Sequence, residues 1–165
     1  MTRPTVTATI ELPTTAAALW SILGDADGLA GWLANAPADP GPDSDPGPGG
    51  GPLVAGAALD LPVDATVRRL VVTGVEADRR VGFTWWDLDD PDRVSQVELA
   101  IEATDAGVAV TVTETLDPTA AAGRAGGRSA GLAEASVEAD ALVARWDARL
   151  DALLGCPAGR LGALV

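Results

Sequence analysis

Val75-Glu-Ala-Asp-Arg-Arg-Val-Gly-Phe83-Thr-Trp85 reads as the end of one strand, a turn, and the start of the next. The break falls at Ala77-Asp78, since Asp is a turn residue. Past it, Val81, Phe83 and Trp85 share one parity, so a period of two turns all three toward the same side. The pattern repeats outward from this stretch. Strands are expected near 54–61, 66–76, 80–88, 94–104 and 108–116. The breaks are Pro62-Val-Asp64, Ala77-Asp78, Asp89-Asp-Pro-Asp92 and Asp105-Ala-Gly107, all of them turn chemistry. Short breaks between neighbours mean hairpins, hence an antiparallel meander. Val97, Leu99 and Ile101 alternate with Gln96, Glu98 and Glu102, and Val108, Val110 and Val112 alternate with Ala109, Thr111 and Thr113. Each strand therefore has one wet and one buried face, with Glu98 and Glu102 on the wet one.

Upstream, Thr5 to Leu12 is a further strand, with Val6, Ala8, Ile10 and Leu12 on one parity. Pro13 ends it, and Thr14 or Thr15 caps a helix whose apolar stripe is Leu19, Trp20 and Leu23. Gly24 stops that helix, and Asp25 caps a second one carrying Leu29, Trp32 and Leu33. Downstream, a long helix is expected over about 132–154. Leu142, Trp146, Leu150 and Leu153 recur at helical spacing, and Val143 and Leu154 widen the stripe. Glu134, Glu138, Arg145, Asp147, Arg149 and Asp151 are assigned to the opposite, solvated side, and Gly155 suits the C-cap. One antiparallel sheet with a long helix laid on it is an α+β architecture. Residues 1–155 are expected to form a single domain with a short tail over 156–165. The Pro/Gly/Asp-rich stretch 35–52 is expected as a mobile surface loop, and the Ala/Gly-rich stretch 118–131 as a loop with some helix at its end.

Pro13 opening the first helix and Trp20 in its stripe, Leu29-x-x-Trp32, Arg79-Arg80-Val81 leading into Phe83-x-Trp85, and Trp146 with Leu150 and Leu153 on the last helix occur in this order. Together they resemble the START-like (SRPBCC) superfamily, and within it the homologues of the activator of the heat-shock-protein-ninety ATPase. The resemblance covers roughly residues 5–155. It implies a helix-grip fold, in which a curved antiparallel sheet wraps a long C-terminal helix. It also implies a cavity between sheet and helix. The stretches 35–52 and 118–131 depart from the family's usual pattern, near where loops commonly control access.

The formal net charge is −13. Phosphate recognition needs clustered cations, so nucleic acid is excluded as a partner, and so is an anionic membrane surface. No run is apolar for long enough to span a bilayer, and Met-Thr-Arg-Pro lacks the layout of a signal peptide, so the expected location is the cytoplasm. Cys156 is the only cysteine, and with no His to activate it a nucleophilic role is not expected. The chain has no His and no Tyr, which leaves carboxylates as its acid–base groups. No catalytic residue, metal site or cofactor is expected. Asp87, Asp89, Asp90 and Asp92 lack the Gly and closing Glu of a calcium loop, and Gly47 to Gly51 lacks the Lys of a phosphate loop.

The candidate site is therefore apolar. Trp32, Phe83, Trp85 and Trp146, with Val97, Leu99, Val110, Val112 and Leu142, either line a ligand pocket or fill a core. Glu114 falls on the parity of Val108, Val110 and Val112, so it either points into that space or reaches solvent from the strand end. Trp86 has the opposite parity and is expected on the outer face or edge. Three functions follow from the resemblance. The first is a non-catalytic binding protein for a small hydrophobic or aromatic molecule. The second is a chaperone-cofactor-like module with a protein partner. The third is a cyclase or aromatase of the polyketide type.

Overall fold

The computed structural model describes residues 5–34, 51–63, 65–116 and 132–155. The chain enters as strand β1 (Thr5–Leu12) and turns into helices α1 (Ala16–Leu23) and α2 (Ala26–Leu33). Five strands follow: β2 (Ala58–Val63), β3 (Thr66–Glu76), β4 (Arg80–Asp87), β5 (Asp90–Thr104) and β6 (Gly107–Leu116). Helix α3 (Leu132–Gly155) comes last. The stretches 35–50, 117–131 and 156–165, with Cys156, lie outside the described residues, as do the side chains of Glu134 and Glu138.

All six strands form one antiparallel sheet in the order β1-β6-β5-β4-β3-β2. The meander read from the turns is β2 to β6, and β1 closes on its far side against β6. The curved sheet with α3 against its inner face is the helix-grip architecture, an α+β fold. Parity decides what faces inward. Val6, Ala8, Leu12, Val81, Phe83, Trp85, Val97, Leu99, Ile101, Val108, Val110 and Val112 are buried, while Glu98 and Glu102 are exposed.

Local chemistry fixes the short helices. The Thr15 hydroxyl accepts from the Ala18 N–H at 3.1 Å and caps α1. The Asp25 carboxylate accepts from the N–H groups of Asp27 (2.9 Å) and Gly28 (3.1 Å) and caps α2. Gly24 lies between them, where a Cβ would run into the Trp20 indole. Leu53 N–H donates to the Gly24 carbonyl and Ala26 N–H to that of Gly51, which pins this corner to the chain entering β2.

Several expectations are corrected. β2 starts at Ala58 rather than 54, because Gly56 takes φ 90° and the preceding residues turn, leaving Val54 exposed. Pro62 and Val63 belong to β2 instead of a turn; β2 is an edge strand, where a residue without an N–H is tolerated. β5 starts at Asp90, so the break there is Leu88-Asp89 only. Trp20 is half-buried at the rim of the core, and Leu154 is 52% exposed. Trp86 lies on the outer face as expected, on the register of Arg69, and is half-buried there.

The outer face is held by polar pairs. Arg69 and Asp60 sit opposite each other and form a fork, Nε to Oδ1 at 2.7 Å and Nη2 to Oδ2 at 2.8 Å. That hydrogen bond, with the charge of Arg69 behind it, lowers the Asp60 carboxyl below its ordinary range. Arg80 reaches Glu76 at 2.8 Å and Glu98 at 3.7 Å, so the arginine of the turn neutralises neighbouring acids.

Candidate functional site

Cross-strand register builds the floor of the site. Phe83 on β4 sits opposite Val97 on β5, Val97 opposite Glu114 on β6, and Glu114 opposite Val6 on β1. One row of the inner face therefore runs Phe, Val, Glu, Val. The next row carries Leu70, Trp85 and Ser95. Leu99 and Val112 form the row on the other side of Glu114, and Val110 lies one row further.

Glu114 is the polar centre. Its Oε1 accepts from the Trp85 indole N–H at 3.0 Å and its Oε2 from the Trp146 indole N–H at 2.7 Å. A buried polar group is costly unless it is hydrogen-bonded, and an indole N–H can only donate. Each partner therefore satisfies the other. Glu114 also ties the sheet to α3, since Trp85 belongs to β4 and Trp146 to the helix.

The rings form a continuous chain. Phe83 meets Trp85 edge-on at 5.7 Å, Trp85 stacks on Trp146 at 5.7 Å, and Trp146 meets Trp32 at 6.2 Å. These separations suit attractive aromatic pairs. Trp32, on α2, donates its indole N–H to the Arg149 carbonyl at 2.8 Å.

The structure brings the expected site residues together. Trp32, Phe83, Trp85, Val97, Leu99, Val110, Val112 and Trp146 belong to one buried cluster; Leu142 packs half-buried against it, and Glu114 lies among them. Phe83, Val97, Val110, Val112 and Trp146 keep 0% of their surface, and Trp85, Leu99 and Glu114 keep 1%. In this conformation Phe83, Trp85 and Trp146 are packed against protein on every side. Of the two readings left open for Glu114, the inward one is correct.

Two arginines complete the surroundings. Arg149 was expected on the wet side of the last helix but is buried at 7% exposure. Its Nε donates to the Leu33 carbonyl at 3.3 Å, and its guanidinium lies 5.2 Å from the Trp146 ring centre and 5.8 Å from that of Trp85. Arg68 lies 4.6 Å over the Trp85 ring and donates to Asp87 at 2.9 Å, while Asp87 also accepts from the Thr66 hydroxyl. A signal for both is present in the sequence. Arg149 lies three residues after Trp146, on the same helical face, and Arg68 shares the parity of Leu70 and Val72. Their residue type hides them.

Among the described residues, no group of three or more His, Cys, Asp or Glu side chains is placed to hold a metal ion. Nor is any described helix long and apolar enough to cross a membrane. The chemistry available in the cluster is that of aromatic walls and one carboxyl, whose oxygens accept hydrogen bonds.

The model of the family described as polyketide cyclase / dehydrase and lipid transport matches residues 3–153. No curated protein matches the chain. Among solved structures, DynU16, from the dynemicin biosynthetic locus, is 20% identical with a TM-score of 0.59. That match covers 95% of this chain but 45% of the other, so this chain spans under half of DynU16. Protein BH1534 of Bacillus halodurans is 19% identical with a TM-score of 0.59, over 91% of this chain and 94% of the other. The Aha1 dimer of Colwellia psychrerythraea is 13% identical with a TM-score of 0.57, over 91% and 92%. At these identities the likeness is one of fold. The family match, by contrast, runs from β1 through every strand into α3, and so the chain belongs to the polyketide cyclase / dehydrase and lipid transport family, within the START-like (SRPBCC) superfamily.

Proposed function

We propose that this protein holds a small hydrophobic or aromatic molecule between the inner face of the sheet and α3, without transforming it. Trp32, Phe83, Trp85 and Trp146 are its walls, Val97, Leu99, Val110, Val112 and Leu142 complete the apolar lining, and Glu114 is the polar anchor. The observation that carries the reading is Glu114 itself. β6 places valine at 108, 110 and 112 on its inner face and then a carboxyl at 114, buried to 1% exposure. A core built for stability alone is served by a fourth valine, because burying a polar group offsets much of what its hydrogen bonds return. Departures from local pattern of this kind concentrate at functional sites. The family description, which includes lipid transport, agrees with an apolar cargo.

Native mass spectrometry of the purified protein tests the reading. The expected result is an added small-molecule mass that disappears on denaturation and is lost in folded Trp146→Phe and Glu114→Gln variants. A bare wild-type mass, together with no uptake from a panel of aromatic and aliphatic probes, refutes it.

A second reading, a cyclase-like enzyme, draws on the same carboxyl and on the cyclase and dehydrase terms of the family description. Glu114 is then the acid–base group, and one of its indole bonds gives way to the substrate. Product formation abolished by Glu114→Gln, with ligand still bound, favours this reading over the first. The chaperone-cofactor reading draws only on likeness of fold to Aha1.

A further inference from the structure

The closed packing of the rings raises the question of where a molecule enters. The aromatic chain leads outward in one direction. Phe83 and Trp146 keep 0% of their surface and Trp85 1%, whereas Trp32, at the other end, keeps 8%. The ring nearest the surface is thus Trp32 of α2, which meets Trp146 of α3 across the seam between the two helices.

That seam is held by a reciprocal pair of buried hydrogen bonds. Trp32 of α2 donates to the backbone carbonyl of Arg149 on α3 at 2.8 Å, and the Arg149 side chain donates back to the carbonyl of Leu33 at 3.3 Å. Leu33 is the last residue of α2, and the final carbonyls of a helix have no partner within it. The last turn of α2 contains no basic residue of its own. Arg149 therefore supplies from another helix the cation that favours a helix C-terminus. The same guanidinium lies over the rings of Trp146 and Trp85, so one side chain touches the end of α2 and two walls of the site.

We infer that the α2–α3 seam is the entrance to the site and that Arg149, with Trp32, is its latch. Among the described residues no backbone–backbone hydrogen bond joins α2 to α3, whereas the strands of the sheet are paired along their length, so the seam opens at lower cost than the sheet. Parting α2 from α3 exposes Trp32 and Trp146 first. Trp146 remains tethered to Glu114, so the floor of the site keeps its shape while the seam opens. Arg149 is thus a positioning residue, and the binding reading above supplies only the identity of what passes through.

Native-state amide hydrogen exchange tests the latch without any ligand. Trp32→Phe keeps a ring and removes the indole donor, and Arg149→Met keeps the stem and removes the guanidinium. Each is expected to speed exchange in α2 and in the second half of α3 by about fivefold to tenfold, with the inner strands β4, β5 and β6 unchanged. Faster exchange spread evenly over sheet and helices overturns the inference, because it marks a general loss of stability. Unchanged exchange in α2 overturns it as well. In a second measurement, stopped-flow association of the apolar dye 1-anilinonaphthalene-8-sulfonate is expected to be faster in both variants than in the wild type. Equal rates in all three, with exchange altered as expected, leave a seam that opens but is not the entrance, and that overturns the assignment. Failure of the wild type to retain any cargo refutes the binding reading, yet the exchange pattern still reports on the latch.

Discussion

Glu114 is the residue on which the site turns, and its two bonds make a sharp prediction. Glutamine has nearly the same shape, but it can accept at one atom only. Its amide NH2 then faces an indole N–H, and a buried donor loses its partner. Glu114→Gln is expected to lower stability by about 1–3 kcal/mol, read as a lower urea midpoint with an unchanged slope. An unchanged midpoint means that the indole bond lost in the variant contributes nothing. The inward direction of Glu114 was legible, because the alternation from Val108 extends to it unbroken. Its partners were not. Trp85 and Trp146 lie 29 and 32 residues away, and no local pattern records a meeting at that distance. Arg149 shows the opposite failure. Its spacing from Trp146 is readable, but charge by itself points to solvent, whereas a guanidinium lying on aromatic rings with a carbonyl to bond is at home in a core edge. Leu154 is its mirror image, apolar by type and exposed in place.

Among the elements, the helix caps and the β3–β4 turn follow most directly from the sequence, because a single side chain or backbone angle decides each. Thr15 and Asp25 cap as expected, and Asp78 takes φ 61° at the β3–β4 turn. Strand ends were read less well. Proline and aspartate mark turns in general, yet Pro62 lies inside β2 and Pro91 inside β5. The β5–β6 turn carries the stricter demand. Gly107 takes φ 147°, and a Cβ there would run into the carbonyl oxygen of Leu12 at the end of β1. The obstacle is backbone, so it cannot swing aside. Gly107→Ala is expected to cost about 2–4 kcal/mol, from backbone strain together with the clash. The check is thermal unfolding of the variant beside Gly31→Ala, where nothing lies near the added methyl. Equal midpoints would contradict the close approach of β1 to this turn.

For the molecule as a whole, alternation and helical spacing were enough to read a sheet with a helix laid on it. They did not say that β1 joins β6 rather than β2, since parity tells which face is buried and nothing of which edge is met. Charge acts at this scale too. A net charge of −13 on a chain of 165 residues repels itself in the folded state. Raising the salt from about 0.01 M to about 0.15 M shortens the screening length from about 30 Å to about 8 Å. The urea midpoint is therefore expected to rise over that range; a fall would mean that attractive pairs such as Arg69 with Asp60 outweigh the repulsion. The pairing of β1 with β6 has one more consequence, which concerns how the chain is made. Thr5 meets Thr115, 110 residues later in sequence. During synthesis β1 emerges long before β6, its partner in the sheet, exists. The meander β2 to β6 joins neighbours in sequence, whereas β1 must wait and then close a long loop. Until it does, one edge of β6 is open to any other extended chain, and α3 lacks part of the surface on which it comes to rest. A strand translated before the whole of the meander is thus among the last to take its place.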